Sequence, residues 1–173
     1  MKKSVVISVL GEDSPGLVEK LSKLIVSYDG EWVESRMASL AGKFAGILRV
    51  DIPEKNIQAF EQALTQKASL GLKVIFEACN PLNKSTELEF RIELIGQDQP
   101  GIVHRISSEL AKLNASVDEL HTEVIEASMS GEHLFKAELN VHVSDQTSSA
   151  KIRQVLEDLA NELIVDIELL EPS

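Results

Sequence analysis

The sequence predicts an α+β protein of two tandem β-α-β-β-α-β domains, each a four-stranded antiparallel sheet with two helices on one face. Three observations predict it. First, one nine-residue segment occurs twice. Leu10-Gly11-Glu12-Asp13-Ser14-Pro15-Gly16-Leu17-Val18 returns 85 positions later as Ile95-Gly96-Gln97-Asp98-Gln99-Pro100-Gly101-Ile102-Val103. A repeat outranks other signals because it sets the architecture. Second, each copy lies between a short apolar run and an amphipathic helical pattern. Third, 173 residues accommodate two domains of roughly 80 residues each.

The elements follow in order. Ser4 to Leu10 is short and β-branched, so it reads as a buried strand. Gly11 to Ser14 turn the chain. Ser14 before Pro15 is a helix-start signal, a capping side chain and then proline at the first helical position. Leu17, Val18, Leu21, Leu24 and Ile25 follow at helical spacing. Asp29-Gly30 ends that helix, glycine taking the left-handed conformation. Glu31 to Leu40 and Lys43 to Ile52 are strands joined by a tight turn at Ala41-Gly42. Pro53-Glu54 opens a helix with Ile57, Phe60, Ala63 and Leu64 inward, and Leu72 to Phe76 closes the first domain.

Asn80 to Ser85 loses all periodicity and reads as a linker, which places the domains at 1–79 and 86–173. The second half repeats the order. Leu88 to Ile95 is a strand, and Pro100 to Leu113 a helix with Ile102, Val103, Ile106, Leu110 and Leu113 inward. Ser116 to Ile125 and His133 to Val143 are strands. Asp145 or Thr147 caps a helix bearing Ile152, Val155, Leu156, Leu159 and Leu163, and Ile164 to Leu170 is the last strand. The offset between copies grows from 85 to 91 at Phe44/Phe135 and stays there at Val74/Val165. One insertion in the hairpin Ala127–Gly131 accounts for it, since hairpin tips tolerate added residues. Two right-handed crossovers place both helices of a domain on one sheet face, which is the ferredoxin-like arrangement. The other face then needs cover, from the second domain or from a second copy of the chain.

Charge is unevenly placed. The chain carries a net −11, with 11 basic against 10 acidic residues in 1–84 and 6 against 18 in 85–173. An acidic half repels phosphate backbones, so direct nucleic-acid binding is not expected. The asymmetry suits either solubility or docking of a basic protein partner through residues such as Glu119, Glu123 and Glu126. No run is long and apolar enough for a membrane span, and the N-terminal run is too short for a signal sequence, so a cytoplasmic protein is expected. Cys79, the single cysteine, allows no internal disulfide and is expected as a small buried hydrophobe.

The repeated turn is the candidate site. Gly11 and Gly96 stand where a strand turns, and tolerate unusual φ. Gly16 and Gly101 stand in the first helical turn, where a missing Cβ lets another group approach the backbone. Helix N-termini collect unpaired N–H groups and favour anions. Asp13 and Asp98 add a carboxylate. Donors beside a carboxylate suit a zwitterion: the carboxylate of an amino acid meets the amides, and its ammonium meets the aspartate. The same residues also make a good structural turn, with proline presetting φ and Asp bonding its own backbone.

At these residues the chain resembles the ACT domain family, whose most recognisable motif is a Gly-x-Asp-x-Pro-Gly-like turn after the first strand. Asp13, Pro15 and Gly16 match it, as do Asp98, Pro100 and Gly101. Val33-Glu34-Ser35-Arg36-Met37-Ala38, Phe44-Ala45-Gly46-Ile47-Leu48 and the tandem layout are similar to the ACT-type repressors of glycine cleavage genes. The resemblance implies a regulatory protein that senses a small amino acid, glycine by that likeness, and acts through a protein partner such as a DNA-binding activator. Glu12 and Ser14 become Gln97 and Gln99, so the two turns need not share a ligand. The alternative is an assembly module of the same folds without ligand binding.

Catalysis is not expected. No nucleophile elbow or P-loop is present, and an acylphosphatase-like loop would need an arginine where Asp13 and Asp98 stand. No cofactor is implied. His104, His121, His133 and His142 lack the spacing of a metal site, although His121 and His133 straddle a hairpin and can face each other. Tyr28 and Trp32 are expected in packing.

Overall fold

The computed structural model describes residues 1–66, 71–79, 87–127, 131–144 and 147–170. The chain divides into two compact units, Met1–Leu82 and Asn83–Ser173. The linker expected at 80–85 lies outside the described residues.

The first unit runs β1 (Lys2–Glu12), α1 (Leu17–Ser27), β2 (Glu31–Leu40), β3 (Lys43–Pro53), a 3-10 turn (Glu54–Asn56), α2 (Ile57–Gln66) and β4 (Leu72–Ala78). The second runs β5 (Glu87–Gln97), α3 (Ile102–Lys112), β6 (Ser116–Glu126), β7 (His133–Ser144), α4 (Ser149–Leu163) and β8 (Val165–Leu170). The sheets have the orders β2-β3-β1-β4 and β6-β7-β5-β8, with every pairing antiparallel. This is the expected ferredoxin-like fold, twice.

Alternation explains the core. Val5, Ile7 and Val9 of β1 and Leu48, Val50 and Ile52 of β3 are buried beneath Leu21, Leu24 and Ile25 of α1 and Phe60 and Leu64 of α2. Phe90, Ile92 and Leu94 of β5 repeat the layer in the second unit, beneath Ile106, Leu110, Ile152 and Leu156. Tyr28 packs its ring 5.7 Å from that of Phe60, and Trp32 lies against the same cluster, as expected. Val18 and Val103 depart from expectation. They are 47% and 39% exposed, each one position, about 100° around the helix, from the buried Leu17 or Ile102.

The registers expose two further signs of duplication. Both second strands carry a bulge at the same place, between Trp32 and Glu34 and between Val117 and Glu119. Gly11 pairs with Leu72, but Gly96 pairs with Val165. The equivalent of Val165 is therefore Leu72, not Val74, and the offset reaches 93 in the last strand. The hairpin insertion accounts for Phe44/Phe135, whose pairings to Gly11 and Gly96 match. Two more residues were added between the third and fourth strands, where α4 is longer than α2.

The helix ends correct three details. Ser14 is not the N-cap of α1; Gly16 is, at φ 84°. The left-handed residue that ends α1 is Asp29 at φ 58°, not Gly30, and its equivalent Asn114 has φ 53°. The N–H groups of Gly30 and Ala115 then close the helices onto Ile25 O and Leu110 O, each at 3.0 Å. Gly30 is small because a Cβ there would meet Ile52 Cδ1 at 2.4 Å. In α4 the cap is Ser148, whose hydroxyl accepts from the Lys151 N–H at 3.3 Å. Thr147 instead reaches Leu113 O at 3.5 Å, and Asp145 lies outside the described residues.

Candidate functional site

β1 and β5 deliver the chain to the two turns, and a backbone hydrogen bond anchors each turn to a neighbouring hairpin. The Asp13 N–H donates to Gly42 O at 2.9 Å, and the Asp98 N–H donates to His133 O at 3.2 Å. The turns therefore sit against the tips of β2–β3 and β6–β7. Pro15 and Pro100 precede the caps, outside the helices.

Gly16 and Gly101 are the N-caps, at φ 84° and 83°, with no side-chain cap on either helix. A side chain at such φ is strained by about 1–2 kcal/mol, so the conformation favours glycine. Nothing lies within 4 Å of where a Cβ would stand at either position. The space expected beside these glycines exists, although they precede the helical turn instead of standing in it. Each carbonyl accepts the first helical N–H, from Lys20 and Arg105, both at 3.0 Å. The amides of the first turn have no partner within the helix, and the dipole adds positive potential.

Gly11 and Gly96 serve another purpose than the one expected. Neither has a positive φ; both continue their strands. A Cβ on Gly11 would lie 2.4 Å from Gly71 O, and one on Gly96 would lie 2.3 Å from Val165 Cγ1. They let the last strand pass closely and do not shape the turn.

The two aspartates differ in surroundings. Asp13 Oδ2 accepts a hydrogen bond from Ser39 Oγ at 2.5 Å. At the equivalent place on β6 stands Val124, opposite Phe135 as Ser39 is opposite Phe44. Among the described residues, no hydroxyl takes that place beside Asp98. Gln99, the replacement for Ser14, donates from Nε2 to Leu163 O at 2.9 Å and ties the second turn to the end of α4. Glu12, at the end of β1, pairs with its cross-strand neighbour Lys43 of β3. Ser39 was not foreseen, because only the register of β2 brings it to Asp13.

Two grooves of the first unit lie away from the turn. One is on the helix-free face, lined by Val6, Glu34, Arg36, Ile47 and Arg49. The other, near the start of β1, is lined by Lys3, Ser4, Ile57 and Phe76. Cys79 borders both and is half-buried, not buried as expected. His121 and His133 do not face each other: His121 lies opposite Glu138, and His133 opposite Glu126. His142 Nδ1 lies 2.7 Å from Asp118 Oδ1, the residue at the bulge.

Models of the ACT domain match residues 3–77 and 90–161. The chain belongs to the ACT domain family. Its two ACT domains therefore cover most of its length, with a motif turn in each. The chain is similar to a UPF0237 protein of Methanosarcina mazei, 31% identical over 72 residues, covering 40% of this chain and 78% of that one. An unknown protein from Galdieria sulphuraria has a tandem structure similar from end to end, with TM-score 0.89, 29% identity and full coverage of both chains. A protein provisionally described as a glycine cleavage system transcriptional repressor shares the fold over 99% of each chain, with TM-score 0.73 and 16% identity. Among the described residues, no helix is long and apolar enough to cross a membrane.

Proposed function

We propose that this chain is an amino-acid sensor of the ACT type that regulates transcription through a protein partner. Each turn holds the backbone of one small amino acid. The ligand carboxylate meets the amides that follow Gly16 or Gly101, and the ammonium meets Asp13 or Asp98. The observation that carries this reading is the pair of left-handed glycine caps with open space beside them, each three residues after an aspartate. The family supports a regulatory role. Glycine as ligand and an activator as partner are supported only by the likeness to the repressor, whose fold is shared.

One observation favours the alternative, an assembly module without a ligand. Asp13 is already engaged by Ser39, as a purely structural turn would have it. Titration calorimetry of the full chain against the twenty amino acids decides between them. The sensor reading expects heat from glycine or another small amino acid, with loss of binding in Gly16→Leu or Gly101→Leu chains that stay folded. Absence of heat from every amino acid at millimolar concentration leaves the assembly module.

A further inference from the structure

The two helix-free sheet faces are opposites in chemistry. In the first domain one row across the sheet reads Arg36, Ile47, Ser8, Ile75. The equivalent row of the second domain reads His121, Glu138, Glu93, Glu168. Carboxylates need no cover from water. Ile47 and Ile75, 52% and 62% exposed, and Leu10 in the next row, 50% exposed, do. We propose that the helix-free face of the first domain binds the same face of a second copy of this chain, giving a two-fold symmetric dimer, and that the acidic face of the second domain stays out of it.

Charge selects the occupant. Most cations of the first face are matched at home: Lys2 pairs with Glu31, Lys43 with Glu12 and Arg49 with Glu34. The face brings no net charge against its own copy, whereas the second half of the chain repels its like. The strip along β4 is self-complementary. Lys73, Ile75 and Glu77 share the outer face, reading cation, apolar, anion. A two-fold axis crossing the strands at the Ile47–Ser8–Ile75 row sets Ile75 against Ile75 of the second copy. It also sets Lys73 against the partner's Glu77 and Glu77 against the partner's Lys73, and it brings Leu10 over the partner's Val6. Arg36 meets its own copy at the β2 edge, where a long side chain turns its charge to water.

The test is sedimentation of the full chain across a concentration series, with circular dichroism as the check on folding. The wild type is expected as a dimer. Lys73→Glu sets like charges together twice and should weaken the dimer about tenfold. Adding Glu77→Lys restores both pairs and should restore the dimer, which a purely structural role of Lys73 would not do. Ile75→Asp should give a folded monomer, and Glu93→Lys should change nothing. A wild-type monomer at every concentration overturns the proposal, as does a dimer indifferent to Ile75→Asp and Lys73→Glu. Both readouts need no amino acid, so the result stands apart from the sensor reading.

Discussion

Four glycines of the repeated segment do two different jobs, and substitution separates them. Gly16 and Gly101 are held by conformation alone, since their surroundings are open. Gly16→Ala should therefore fold and cost about 1 kcal/mol, read from the denaturant midpoint. Gly11→Ala sets a methyl 2.4 Å from a carbonyl oxygen of the backbone. It should cost clearly more, because the last strand must move away from β1. Equal losses at the two sites would overturn this division. Ser39 belongs to the same scale. Ser39→Ala frees the Asp13 carboxylate from its one hydroxyl partner on β2, and calorimetry should then show the first turn binding an ammonium group differently, with the second turn unchanged. The repeated identities marked all four glycines as necessary. They did not tell φ from close approach, because both demands select the same residue.

At the level of elements, periodicity found every helix and strand, but capping was misread. Ser14-Pro15 has the composition of a helix start, yet the helix opens at Leu17 because Gly16 takes the left-handed cap. Asp29-Gly30 has the composition of a glycine C-cap, yet the aspartate adopts the positive φ and the glycine makes room for Ile52. Helix-end motifs state that a helix stops, and tertiary contact decides which neighbour bends. Ion pairs along and beside the strands also set a pH dependence. Lys136, 3.0 Å away and hydrogen-bonded to it, holds the Glu138 carboxyl below its ordinary value of 4.5. Lys3 does the same for Glu54. A carboxyl lowered in the folded state stabilises above its unfolded value, and that contribution is lost as pH falls through the folded value. Thermal midpoints should therefore drop below about pH 4.5, and Glu138→Gln should flatten the drop. An unchanged acid limb in that variant would remove Glu138 from the account.

For the whole molecule, the two sheet faces divide the charge unevenly. The second domain presents Glu93, Glu119, Glu123, Glu138 and Glu168 on one sheet face. Glu126, expected to act with Glu119 and Glu123, lies opposite His133 on the other side of the hairpin. A basic regulator docking there should lose affinity with Glu119→Gln and Glu123→Gln, and the loss should shrink as salt rises. Glu126→Gln should matter less. Equal binding by all three variants, measured by fluorescence anisotropy against the isolated partner, would remove that surface from the account.

The sequence alone determined the duplication, the order of elements, the fold and the place of the candidate turns. These rest on local spacing, which a chain carries in its own order: period two for strands, 3.6 for helices, proline and glycine at turns. Tertiary structure alone decided that Ser39 meets Asp13 while Val124 takes the equivalent place on β6, that the last strands align at an offset of 93, and that one open face exposes isoleucines where the other is acidic. Those depend on register, and register is set when strands distant in the chain bury one face together.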